Sequence, residues 1–127
     1  QRISNFMYQG ICVKNKIDCV NIFLSQLNRN IENPGNGDRR DIGGSSPMLS
    51  DLFGSDSCAQ FSTVVMILHR PELYNKTTYS FAGYTIDARN LIACHVLKQR
   101  DGWTGMVSWD HDLSINKVWD RPRITQT

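Results

Sequence analysis

Lys98 and Arg100 stand two residues apart at the polar end of an apolar run, Leu91-Ile92-Ala93-Cys94-His95-Val96-Leu97, just before an Asp101-Gly102 turn signal. Residues two apart on a strand point the same way, so both cations address one target. A paired Lys and Arg on a firm support suits a polyanion, above all the phosphates of a nucleotide. Spacing alone favours a plainer reading, a solvated strand end. Two further apolar runs bear on the choice. Cys19 to Leu24 ends in Ser25-Gln26-Leu27-Asn28-Arg29, and Thr63 to Leu68 ends in His69-Arg70-Pro71-Glu72. Ligands of open α/β sheets bind outside the carboxyl ends of the strands, so three polar tips of this kind bring a functional reading level with the plain one.

The elements that must carry these tips follow from periodicity. Ile3, Phe6, Met7, Gly10 and Ile11 fit a helix ending near Asn15, with Gly10 as a weak point inside it. Cys19 to Leu24, Thr63 to Leu68 and Leu91 to Leu97 read as buried strands, the second being the clearest. A helical period followed by continuous apolar runs is the α/β pattern, with parallel core strands. Asn30 to Ser50 has almost no hydrophobic period and holds Arg39-Arg40 and Gly43-Gly44. A loop that long is more often functional or disordered than neutral. Ser50 caps an expected helix from Asp51 to about Phe61. Leu73 to Asn90 reads as a long loop. Gly105 to Trp109 and Leu113 to Trp119 read as an antiparallel hairpin turning at Asp110-His111-Asp112. The tail, 121–127, is expected to fray.

Composition bounds the rest. At 127 residues, 40% hydrophobic and 20% charged, the chain fits one soluble domain. A net charge of +2 is too small for nucleic-acid binding by bulk electrostatics, so any polyanion site must be local. The four cysteines form no CxxC pair and read as free thiols in a reducing, cytoplasmic setting, without zinc. His69, His95 and His111 are too scattered for a metal set, and no metal site is expected. No apolar run approaches the roughly 20 residues needed to span a membrane. The start at Gln1, inside an expected helix, suggests a piece of something longer.

The order of motifs resembles a known family. Leu24-Ser25-Gln26-Leu27-Asn28-Arg29, then Ser50-Asp51-Leu52, then Val64-Val65-Met66 with His69-Arg70-Pro71-Glu72-Leu73-Tyr74, then Lys98-Gln99-Arg100-Asp101-Gly102-Trp103-Thr104-Gly105 occur in this sequence. Together they look like the second half of the motor domain of DnaB-type replicative helicases, over residues 1–120. The resemblance implies a partial RecA-like fold: a mixed sheet with parallel core strands and a C-terminal antiparallel hairpin. It implies an ATP-dependent DNA helicase using ATP and Mg²⁺, with single-stranded DNA, a hexameric ring of itself, and a primase and helicase loader as partners. It places the phosphate sensor at Gln26. It makes Lys98 and Arg100 the pair that reaches a neighbouring subunit's ATP, an arrangement that ties hydrolysis to assembly. DNA-facing candidates are Arg39, Arg40, Gly43, Gly44, Asp51 and Gly54, since glycine-rich backbone approaches phosphates closely.

The sequence also departs from the family. Arg-Glu-Ser-Gly usually follows Ser-Asp-Leu, but Phe53-Gly54-Ser55-Asp56 stands here, so an expected cation is lost. The Glu usual before the next Gln is Ala59, and Trp103 replaces a frequent proline. No G-x-x-x-x-G-K-[ST] phosphate loop occurs in the chain, so it is not expected to hydrolyse ATP alone. A catalytically inactive RecA-like module, kept for assembly or weak single-strand binding, is the alternative.

Overall fold

Alternating burial along Val64–His69 shows how this chain builds its sheet. Val65, Ile67 and His69 turn inward, whereas Val64, Met66 and Leu68 are exposed. One face of the strand is covered and the other is open. That is the habit of an antiparallel sheet, which tolerates one open face.

The computed structural model describes residues 2–27, 46–52 and 55–122. Helix α1 is Arg2–Ile17 and α2 is Ser55–Phe61, with a 3-10 turn at Leu49–Asp51 before α2. The strands are β1 Val64–His69, β2 Thr78–Phe81, β3 Tyr84–Asp87, β4 Leu91–Gln99, β5 Gly105–Asp112 and β6 Lys117–Asp120. The main sheet has the order β1-β4-β5-β6, and β2 pairs with β3 in a separate hairpin. Every described ladder is antiparallel.

The fold is therefore mixed α/β with antiparallel sheets, and the expected C-terminal hairpin is present as β5–β6. The expectation of parallel core strands needs correction for the described residues. A continuous apolar run reports burial, not direction. Cys19 to Leu24, expected as a buried strand, is extended but joins no ladder, and Val20, Ile22 and Leu24 are exposed at 86%, 82% and 95%. It is held instead against α1. Phe23 meets Phe6 edge to face with centroids 5.4 Å apart, and Asn21 Nδ2 donates to the Gly10 carbonyl at 2.6 Å. Gly10 is small for a reason: a Cβ there would lie 2.6 Å from Phe23 Cζ.

Two apolar clusters hold the sheet's covered face. Tyr79, Ala88, Leu91 and Ala93, with Phe81, Ile86 and Met106, seat the β2–β3 hairpin on β4 and β5. Leu73 to Asn90, expected as a loop, thus contains a hairpin that the main sheet anchors. Leu52, Val65 and Ile67, with Leu27, Leu49, Cys58 and Leu97, form the second cluster. The Asp110-His111-Asp112 stretch lies in β5, not in a turn. The chain reverses one step later, where Asp112 Oδ1 accepts from Ser114 N at 3.1 Å.

Candidate functional site

The second cluster draws three distant stretches together. Leu27 follows Gln26, Leu52 follows Asp51, and Leu97 precedes Lys98. Leu27 and Leu52 also form an isolated antiparallel bridge. Packing of small apolar neighbours, rather than contact between the polar residues themselves, brings these candidate site residues to one region of the fold.

β4 delivers Lys98 through an irregularity. The ladder pairs Met66 with Val96 and Val65 with Lys98, so Leu97 is skipped and the register shifts by one residue. Such a bulge re-aims the side chains beyond it. Leu97 joins the cluster with Val65, and Lys98 turns to the same side, towards α2. Lys98 Nζ donates to the carbonyl of Ala59. Arg100 Nη2 donates to the carbonyl of Gln60 at 3.1 Å, while its backbone N–H donates to Thr63 O at 3.2 Å.

The two cations therefore share a direction, and both sit on the carboxyl end of α2. Helix ends leave carbonyls unpaired and partly negative, which attracts cations. Cys58 O accepts from Ser62 N, Ala59 O from Lys98 and Gln60 O from Arg100, so three successive carbonyls are answered. Among the described residues the partners of Lys98 and Arg100 are carbonyls, not carboxylates. Arg100 is exposed and Lys98 half-buried. A neutral carbonyl is a weaker partner than an anion, so both side chains remain open to a phosphate.

The other candidates fall as follows. Gln26 is exposed beside the Leu27 bridge. Asp51 is nearly buried, and its Oδ2 accepts from Met48 N at 2.7 Å, closing the 3-10 turn. Arg39, Arg40, Gly43, Gly44 and Gly54 lie outside the described residues. Trp103 packs across Gly105, where a Cβ would meet its ring at 2.2 Å.

A second polar group lies towards the start of β4, and it is internally paired. Glu72 accepts from Arg70 Nη2 at 2.5 Å, from Asn90 N at 2.8 Å and shares a hydrogen bond with His111 at 2.8 Å. Burial works against ionisation of Glu72, but Arg70, the Asn90 N–H and His111 together hold its carboxyl below the usual range. Arg121 donates to Asp110 Oδ1 and to the carbonyls of Asp87 and Arg89. The Arg89 guanidinium beside Asp87 lowers that carboxyl to about 2. These groups tie the 3-10 turn Pro71–Tyr74, the β2–β3 hairpin and the main sheet together. Among the described residues no three His, Cys, Asp or Glu side chains gather to hold a metal ion. No described helix is long and apolar enough to cross a membrane.

The domain is thus mixed α/β, with two cations at one strand tip and the neighbours of Gln26 and Asp51 gathered in the cluster behind them. Comparison with known proteins gives the family. Residues 1–120 match the DnaB-like helicase C terminal domain, and the chain belongs to that family. It is 31% identical to the replicative DNA helicase DnaC of Bacillus subtilis, over 92% of this chain and 22% of that protein. It is 33% identical to the replicative DNA helicase DnaB of Geobacillus stearothermophilus, over 76% of this chain and 18% of that one. A probable replicative DNA helicase of Trieres chinensis is 35% identical over 78% of this chain and 19% of its own length. The chain thus spans about a fifth of the curated relatives it matches.

Sequence reasoning found the polar tips but not what holds them. Leu27 and Leu97 look like ordinary strand residues. Their signal was position, each being the apolar residue next to a candidate.

Proposed function

We propose that this chain is the C-terminal half of a RecA-like motor domain in a replicative DNA helicase that burns ATP to move on single-stranded DNA as a hexameric ring. Lys98 and Arg100 carry this reading, because they leave one strand tip in one direction and, among the described residues, are partnered by neutral carbonyls. In the ring they reach the neighbouring subunit's nucleotide and stabilise charge on the transferring phosphoryl group. Gln26 senses the terminal phosphate: its amide donates to a phosphate oxygen and accepts from water. ATP supplies the anhydride and Mg²⁺ neutralises the phosphates, both held by a phosphate loop elsewhere in the parent polypeptide. Arg39, Arg40, Gly43, Gly44, Asp51 and Gly54 line the path of the DNA. The parallel core of the RecA-like fold is completed by strands of the parent, for which exposed Val20, Ile22 and Leu24 are the waiting neighbours. The parent works in the cytoplasm with a primase and a helicase loader.

A second reading, an inactive module retained for assembly, draws support from Asp51. Its carboxylate accepts from Met48 N within its own turn, and Phe53-Gly54 lacks the family's usual Arg-Glu. The two readings separate on ATP turnover by the parent protein with and without single-stranded DNA. Stimulated turnover that falls in Lys98→Ala supports the motor. Absence of turnover in a folded, oligomeric parent supports the inactive module.

A further inference from the structure

The geometry points to Lys98 and Arg100 as a two-position device: seated on α2 when no phosphate is in reach, and drawn off α2 when a neighbouring subunit's nucleotide engages them. This rests on the phosphate-facing role proposed above and adds what happens at the other end of the same side chains.

α2 has seven residues, about two turns, and a helix that short does not hold itself together in water. Its stability comes from packing and from its ends. At its carboxyl end Lys98 answers Ala59 O and Arg100 answers Gln60 O. At its other end it follows the 3-10 turn Leu49–Asp51, and 53–54 join the two. Ser57 Oγ lies 2.6 Å from Ser4 Oγ of α1, and Cys58 packs in the cluster with Leu52 and Leu97. So the helix that the cations cap is also the helix that follows Asp51 and Gly54 in the chain, two of the proposed DNA-facing residues.

The reach of each side chain, rather than its number of donors, sets which partner it holds. Lys98 has three N–H donors and Arg100 five, but both seats lie on the same side as the helix, and moving outward to a phosphate lengthens the carbonyl contacts beyond hydrogen-bond range. A phosphate wins over a carbonyl because the bond is charge-assisted on both sides. Release leaves Ala59 O and Gln60 O to water and weakens the cation–dipole interaction, so α2 frays from its carboxyl end. The change at a nucleotide is thereby passed, within one subunit, to a helix next to the DNA-facing segment. The bistable element is α2 itself, biased by which partner the two cations hold.

Hydrogen exchange on the full-length parent tests this. In the wild type, a non-hydrolysable ATP analogue should speed exchange of the amides from Ala59 to Thr63 several-fold, while β4 and β5 amides stay unchanged. In the Lys98→Met/Arg100→Gln double variant, exchange there should already be fast and should not respond to the analogue. Unchanged exchange at Ala59 to Thr63 in the wild type, with nucleotide shown to be bound, overturns the device, and no variant is needed for that outcome. If turnover still falls in Arg100→Gln, the phosphate role survives that failure. If turnover is unaffected, the phosphate role itself is lost.

Discussion

Tyr79 Oη lies 2.7 Å from His95 Nε2, with both side chains almost wholly out of water. This contact joins the β2–β3 hairpin to the centre of β4, and Phe81 stacks edge to face on the same imidazole with centroids 5.1 Å apart. His95 Nδ1 has no partner among the described residues. The imidazole thus depends on Tyr79 for its hydrogen bond.

Tyr79→Phe removes that bond and leaves a buried ring nitrogen unpaired. The expected cost is about 1–3 kcal/mol of unfolding free energy. Urea denaturation of both proteins checks it; a loss under about 0.5 kcal/mol would mean that His95 finds another partner.

The same histidine predicts a pH dependence. Burial, aided by nearby His69, lowers its pKa from 6.5 to about 4. Between those values the unfolded chain takes up a proton that the folded chain refuses. Stability is therefore complete above pH 6.5 and is lost as pH falls towards 4, by up to about 3 kcal/mol. Glu72, whose carboxyl is also held low, adds loss of the same sign below its ordinary value of 4.5. Between pH 6.5 and 4.5 His95 therefore contributes and Glu72 does not. Unfolding free energies measured across this range should fall more steeply with falling pH in the wild type than in His95→Gln.

Gly10→Ala places a methyl 2.6 Å from Phe23 Cζ. The helix gains up to ~1 kcal/mol of propensity, and the half-exposed Phe23 ring must swing off Phe6. We expect a net stability change under about 1 kcal/mol together with faster hydrogen exchange in 19–26. Unaltered exchange there would show that Phe23 does not hold the segment.

Gln26→Ala in the parent protein should leave ATP turnover that no longer responds to single-stranded DNA. A response equal to that of the wild type rejects the relay.

Some of this molecule could be read from its letters. Val64–His69 and Leu91–Gln99 announce themselves as apolar runs ending in polar tips, and β5–β6 as a hairpin. Strand direction could not be read, because Val65 and Ile67 look the same beside a parallel or an antiparallel neighbour. Cys19 to Leu24 looks like a buried strand because it is mostly apolar, yet burial needs a partner: Phe23 leans on α1 while Val20, Ile22 and Leu24 stay exposed. The β2–β3 turn hid for a different reason. It places Ala82 and Gly83 both at positive φ, 50° and 84°, and an alanine in the first of these positions is not a usual signal. At the candidate site, the spacing of Lys98 and Arg100 gave their common direction. The skipped residue Leu97, which aims Lys98 at α2, depends on the pairing with Val65 and Met66 and has no mark in the sequence.

ATP hydrolysis by the full-length parent carrying Arg100→Ala tests the central claim most directly. The account predicts nucleotide binding equal to wild type and a loss of ring-stimulated turnover on the order of a thousandfold or more. Turnover equal to wild type in an intact ring would contradict it.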